Sequence, residues 1–505
     1  MAEKKAGPDT TSPAYDMMAP RWQVIDTLLG GTEAMRAAGT TYLPQHPEES
    51  DKRYQERLES NVLLNMTEIT LDQLTGKPFS EPMKLSDDVP QRIQDEILPD
   101  VDLQGNNLDV FCNRWFKDGF AKAYSHVLVE FPRVQRQDGQ TRTLADDRSE
   151  RLRPYWVHVP PENLIYAYAE TINGVETLLH VRIQEVVTEM GEWEEKYITQ
   201  IKVLEPGWVR LYRKSQSKSK KDEWVMYDEW QTGLDYIPLV TFYADRKDFM
   251  VGKPPLLDLA HMNVAHWQSS SDQRSVLTVA RFPMLAASGL DPEDSTNKVT
   301  VGPYQLLVTP DPQGKFYYVE HTGAAIDAGQ KDLEALEEKM GSYGSQFLRK
   351  KPGNETATAR ALDSAEAMSD LQAMVVTFED AVAVALGMTA DWMKISDASG
   401  TVELNKEYSV EELDAKGLDA LDKARQRKDI SRHRYLLELV RRGVLDEEFD
   451  EDDDKTYLEE ELAEAMERGA AMLDLDPAQQ DSPPSSGSSN DGGEDDEGGD
   501  NPPQE

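Results

Sequence analysis

The chain has a single cysteine, Cys112, among its 505 residues. One thiol excludes an intrachain disulfide framework and fits a reducing compartment. No run of 18 apolar residues occurs, so no segment reads as a membrane span. The N-terminal stretch MAEKKAGPDTTSP is polar and lacks the apolar core of a signal peptide; a disordered arm is expected there. Basic charge is also scarce. Lys and Arg number 54 against 94 Asp and Glu, a net charge of −40. A static nucleic-acid binder draws its affinity from phosphate contacts, so this balance argues against tight holding of DNA. Plain solubility accounts for the same charge.

Catalytic signatures are missing too. There is no G-x-x-x-x-G-K-[ST] and no H-E-x-x-H. His261 and His266 are five residues apart, a spacing that does not put both on one helix face for a metal. Cys112 has Leu108, Phe111 and Trp115 as helical neighbours, which favours a packed thiol over a nucleophile. Gly341-Ser342-Tyr343-Gly344-Ser345 is not a nucleophile elbow. The acid run Glu451 to Asp454 lacks the glycine and ligand spacing of a calcium loop. No enzyme activity, cofactor or metal site is expected.

What is present has a definite order. Hydrophobic content of 39% is ample for cores, and the length allows about three domains. Trp22, Ile25, Leu28 and Leu29 share a helical face within 1–41, expected as an N-terminal arm, partly disordered. A helix is expected from Pro47 to Leu74, stopped by Gly76-Lys77-Pro78, and another from Asp102 to Lys122. YSHVLVEF (Tyr124 to Phe131) reads as a strand. So do Leu178 to Val186, Trp193 to Leu204 and Trp208 to Arg213, the middle one with the period of two of a half-buried strand. Lys214 to Lys221 reads as a polar hairpin tip, with a nucleic-acid patch as the sharper alternative. Residues 42–253 thus form an α+β unit.

A long helix is then expected over 254–281, opened by Pro254-Pro255. Its face through Leu259, Asn263 and Trp267 mixes apolar and polar residues, which predicts packing partly against copies of itself. Residues 282–323 are β-containing, with Tyr304 to Val308 and Lys315 to Val319 as hairpin strands. A second helix over 324–347 carries the stripe Ile326, Leu333, Leu336, Met340 and Tyr343. The loop 348–357 holds Arg349, Lys350, Lys351 and a Pro-Gly break, and a helix of about 30 residues follows, to about Leu386, with Gly387 as its stop. Residues 358–405 comprise that helix and a link, 406–475 further helices, and 476–505 an acidic tail without apolar pattern, expected to be disordered. Leu445 to Glu505 alone hold 23 acids and 2 bases.

Helix, β-rich insert, helix, basic loop and long helix, with the phrases KPPLLDLAHMNVAHWQSSSDQ, ARFPML and RKKPGNETATARALDSAEAMSDL, resemble the central part of tailed-bacteriophage portal (head–tail connector) proteins. The resemblance runs from about Tyr42 to about Tyr457. It implies a wing over 42–253, a stem helix over 254–281, a clip over 282–323, a second stem helix, a tunnel loop, a long kinked wing helix and a helical crown. It implies Arg349, Lys350, Lys351 and Asn354 facing DNA, although these cations suit pairing with acids of neighbouring subunits equally well. Tyr304, Lys315, Phe316 and Tyr317 would lie in the docking clip, and Leu259, Asn263 and Trp267 in stem packing. The partners implied are the chain itself in a ring, usually of twelve, the terminase large subunit, head–tail adaptor proteins, major capsid and scaffold proteins, and double-stranded DNA in passage, with no membrane. The location implied is a capsid vertex of the virion, after assembly in the host cytoplasm. A virion adaptor without a DNA channel, or a nucleic-acid-processing enzyme, are the alternative readings.

Overall fold

The computed structural model describes residues 7–133, 152–215, 223–281, 284–288, 312–319, 323–348, 369–395, 400–406, 415–441, 454–457 and 463. The chain divides into two units, Met1–Tyr408 and Ser409–Glu505. The first opens with α1 (Pro13–Leu29), α2 (Gly31–Ala38), α3 (Asp51–Ser60) and α4 (Met66–Gly76), then β1 (Lys84–Leu85), α5 (Gln91–Glu96) and α6 (Leu108–Lys122). Strands β2 (Tyr124–Glu130), β3 (Tyr155–Val159), β4 (Leu164–Ile172), β5 (Val175–Met190), β6 (Glu195–Glu205), β7 (Trp208–Lys214), β8 (Trp224–Gln231) and β9 (Leu239–Tyr243) follow. A short hairpin, β10 (Arg246–Asp248) and β11 (Val251–Gly252), precedes α7 (Leu257–Ala280). Then come β12 (Met284–Ser288), β13 (Lys315–Val319), α8 (Ala324–Tyr343), α9 (Asp370–Met393) and β14 (Val402–Glu403), which pairs with β1. The second unit contains α10 (Ala415–Gln426) and α11 (Arg432–Arg441), the latter capped by the Ser431 hydroxyl, which accepts from the Arg434 N–H at 3.1 Å.

Two antiparallel sheets organise the first unit: β3-β2-β9, and the meander β4-β5-β6-β7-β8. Strand β2 is covered on both sides: Tyr124 to Val129 are all buried, and the polar Ser125 and His126 among them find side-chain partners in Asp118 and Thr241. Val127 and Val129 face a helical core with Trp115, Phe116, Phe242 and Phe378, while Tyr124 and Leu128 face a second core against the meander. Phe378 of α9 packs edge-on to Trp115, Phe116 and Phe242, with ring centroids 4.9, 5.2 and 4.9 Å away. Gly119 lets α6 approach β9 closely, since a Cβ there would collide with the Phe242 ring. The length and composition of α9 would also suit a membrane crossing. Here nine of its residues are buried, and Glu379 pairs with Lys406 at 2.9 Å.

Several elements differ from expectation for identifiable reasons. The N-terminal segment is structured from Pro13 onward: Ser12 caps α1, and Trp22 is buried with its indole N–H donating to the Lys122 carbonyl at 3.0 Å. The helix expected over Pro47 to Leu74 is two helices, α3 and α4. Asn61 and Asn65, read as helix-face residues, instead take extended or turn backbone and bond other main chains. The Asn65 Oδ1 accepts from the Glu68 N–H and caps α4, and its Nδ2 donates to the Leu28 carbonyl at 2.7 Å. Short polar side chains compete with helix in this way. The helix expected from Asp102 begins at Leu108, where Asn107 caps it. Strand β6 is covered on both faces from Gln200 to Leu204, so its alternation does not mark one wet face. The first part of the expected long helix lies outside the described residues; in its described part Ser369 and Gln372 form a capping box that starts α9, which runs past Gly387 to Met393 and ends on left-handed Lys394.

Candidate functional site

The helix pair α7 and α8, with the strands β12 and β13 between them in sequence, holds most of the residues that the sequence singles out. Leu259, Asn263 and Trp267 of α7 are fully buried. Their cover comes from the chain itself. Asn263 Oδ1 accepts from the Thr67 backbone N–H at 3.0 Å and the Thr67 hydroxyl at 3.1 Å, and its Nδ2 donates to the Leu64 carbonyl at 2.8 Å. Asn61 donates to the Trp267 carbonyl at 2.9 Å, and Arg274 to the Ser60 carbonyl at 2.7 Å. Arg57 donates to Glu49 at 2.9 Å and to Ser271 at 3.3 Å. The polar positions on this face therefore join α7 to α3, α4 and the loop between them, which corrects the expectation that identical neighbours cover them. On its other side α7 meets α8: His266 Nε2 lies 2.9 Å from Glu337 Oε1, and Gln273 donates to the Ile326 carbonyl at 2.9 Å. Leu333 and Met340 of α8 are buried, while Asp327, Asp332, Glu334 and Glu338 are exposed.

Strand β13 pairs antiparallel with β12, from Met284↔Val319 to Ser288↔Lys315. Lys315 and Tyr317 are exposed and Phe316 is half-buried. Tyr304 and its expected strand lie outside the described residues, as do Arg349, Lys350, Lys351 and Asn354. Residues 216–222 of the polar tip and 446–453 of the acid run do as well.

Two further groupings were not read from the sequence. In the first, the ammonium of buried Lys122 lies 3.1 Å from Asp26, 3.1 Å from Asp118 and 2.6 Å from Glu162. Burial alone would lower the Lys122 pKa, but the three carboxylates outweigh it and raise it above the ordinary lysine value. Burial opposes ionisation of Asp118 as well, yet hydrogen bonds from His158 and Ser125 and the Lys122 charge bring it to about 2. Burial raises Asp26 and Glu162. The Ser125 hydroxyl donates to Asp118 Oδ2 at 2.8 Å, and His158 Nε2 lies 2.8 Å from Ser125 Oγ. An acyl-transfer triad orients its histidine through Nδ1. Here Asp118 and Ser125 both sit at Nε2 and Ser125 is fully buried, so the trio is a structural network. Only the Asp118–Lys122 spacing of four was visible beforehand; the other partners come from α1 and the turn before β4.

The second grouping is a cavity of about 240 Å³ between the two sheets. Trp208, Trp230, Trp392, Tyr236 and Phe131 line it, with Lys202 and Glu130 among its polar groups. Lys202 Nζ is 2.8 Å from Glu130 and 2.7 Å from Glu185. Burial disfavours its charge, but the two carboxylates prevail and raise its pKa. Among the described residues no group of three or more His, Cys, Asp or Glu is placed to hold a metal ion. Burial pushes the Cys112 thiol well above its usual pKa, so it is unreactive.

A family model described as a domain of unknown function, DUF4055, matches residues 255–393, from just before α7 to the end of α9. No curated protein matches the chain. Some of the solved structures it resembles are of gene transfer agent particles. They include "Virion of native gene transfer agent (GTA) particle", at 8% identity and TM-score 0.34, covering 72% of this chain and 85% of that one. "Neck of empty GTA particle computed with C6 symmetry" is at 11% identity and TM-score 0.38, covering 82% and 99%. "Neck of native GTA particle computed with C12 symmetry" is at 9% identity and TM-score 0.36, covering 81% and 98%.

Proposed function

We propose that this chain is a portal subunit. Copies form a ring at one capsid vertex, pass double-stranded DNA during packaging and ejection, and dock the terminase and later the head–tail adaptors through the clip. The observation that carries this reading is the succession α7, β12–β13, α8, α9 set against an α+β body, within the stretch whose wording resembles portal proteins. In this reading residues 42–253 are the wing, α7 and α8 the stem, β12 and β13 part of the clip, and residues 406–475 the crown. The exposed acids of α8, repeated around a ring, make a wall that repels phosphates and does not grip them. The cations Arg349, Lys350 and Lys351 supply weak contact to the passing duplex. ATP hydrolysis belongs to the terminase, and this chain performs no chemistry.

Electron microscopy of the purified protein, with class averages viewed down the symmetry axis, tests the reading. The expected result is a ring with a hole that admits a duplex roughly 20 Å wide. Closed oligomers without a hole refute it and favour a virion adaptor.

A further inference from the structure

The hairpin β5–β6 runs beyond the rest of its sheet. Strand β7 reaches only to the Gln200↔Arg213 pair, while β5 and β6 continue to pair out to Met190↔Glu195. A two-stranded ribbon is marginal on its own in water, and this one leaves its apolar side chains bare. Val186, Met190 and Tyr197 share one face and are 60%, 83% and 71% exposed; Trp193, in the turn, is 91% exposed. Aromatic side chains that bury 150–250 Å² each when covered make this a large patch for a surface that interacts with nothing. The turn is acidic, with Glu189, Glu192, Glu194 and Glu195 against Lys196.

We infer that Trp193 of one copy seats in the aromatic cavity between the two sheets of the next copy. The cavity is half-open, walled by Trp208, Trp230, Trp392 and Phe131, and its lining holds two cations, Arg133 and Lys202, against two carboxylates, Glu130 and Glu205. It is thus a neutral aromatic hole on a chain of net charge −40, and it takes an acidic aromatic knob without the repulsion that an excess of carboxylates would bring. Knob and hole lie on different surfaces of one chain. Such a pairing is heterologous, running head to tail, and closes into a ring when the rotation between copies allows. The inference rests on the ring reading above and names the contact that would join its subunits.

The test uses thiol pairs on the full chain, since Cys112 is buried. Trp193→Cys combined with Thr232→Cys, a cavity residue, should give a ladder of covalent oligomers with a short bismaleimide, while each single variant runs as a monomer on a denaturing gel. Trp193→Ala should leave the melting temperature of the subunit unchanged, because the side chain is almost wholly in solvent. It should raise the concentration at which rings dissociate at least ~25-fold, the weight of a central tryptophan anchor. Rings that form without a ladder, or that are as tight with Trp193→Ala, overturn the inference and leave the ring reading standing. A wild-type chain that stays monomeric overturns both.

Discussion

Replacing Lys122 by Met tests the charge network at the junction of α1, α6 and β2. The substitution keeps the length of the side chain and removes the one cation shared by Asp26, Asp118 and Glu162. Deleting one member of a buried ion pair costs about 3–5 kcal/mol. The side chains of Asp26 and Glu162 are 43% and 35% exposed, so water screens them and the low end, about 3 kcal/mol, applies. With an unfolding entropy of about 2.1 cal/mol/K per residue over roughly 400 residues, the melting temperature falls by about 3.5 °C. The pH dependence carries the reasoning. Without the lysine the three carboxyls lose the charge that held their pKa values down. A carboxyl whose folded pKa exceeds its unfolded value costs stability above that pKa, and the cost disappears as pH falls through it. Asp118, held near 2 in the wild type, stabilises the fold at neutral pH and loses that contribution toward about pH 2. The first effect narrows the gap between wild type and variant as pH falls from 7 toward about 4, and the second only below that, toward about pH 2. Differential scanning fluorimetry across that range measures it. A gap independent of pH would mean that lost packing, not unpaired charge, explains the destabilisation, and would refute the argument.

Three other outcomes follow from the same description. Asn263→Leu strands the Thr67 N–H and the Leu64 carbonyl, and should lower stability by about 2–3 kcal/mol in urea denaturation; a change under about 0.5 kcal/mol would show that water replaces those bonds. Phe378→Ala, at the meeting of Trp115, Phe116 and Phe242, should cost about 3–5 kcal/mol by the same measurement, and a loss below about 1 kcal/mol would contradict its central place in the core. Reversing Arg349, Lys350 and Lys351 together to Glu should leave rings intact but impair DNA packaging or retention; full packaging with normal retention refutes their contact with the duplex.

Local pattern made much of this fold legible. The strands β2, β5, β6 and β7 announce themselves by apolar runs and alternation, and the stripe on α8 by its spacing. Failures concentrate where a polar side chain has a tertiary task. Asn61 and Asn65 fit the helical spacing of Tyr54 and Leu58, and only the position of α1 and α7 makes them bond the Trp267 and Leu28 carbonyls instead. Lys202 looked like the wet face of β6 because its partners, Glu130 and Glu185, stand on other strands. The N-terminal segment reads as an arm until Trp22 is seen against Tyr124, 5.7 Å between ring centroids. The interior of the cavity was invisible for the same reason, since its walls come from elements up to Trp392.

The hydrogen-bonded seam along α7 bears on how the paired helices can move. A helix seated by a smooth apolar stripe can slip a turn along its neighbour at little cost. Asn263, Asn61, Arg57 and Gln273 each meet one particular backbone or hydroxyl group. An axial shift of one turn, about 5.4 Å, would strand all of these partners at once. The seam acts as a row of dowels that fixes the register. Force applied at the β12–β13 end is therefore passed on as a tilt of the whole helix together with α3 and α4, as in a lever, and not as the sliding stroke of a piston.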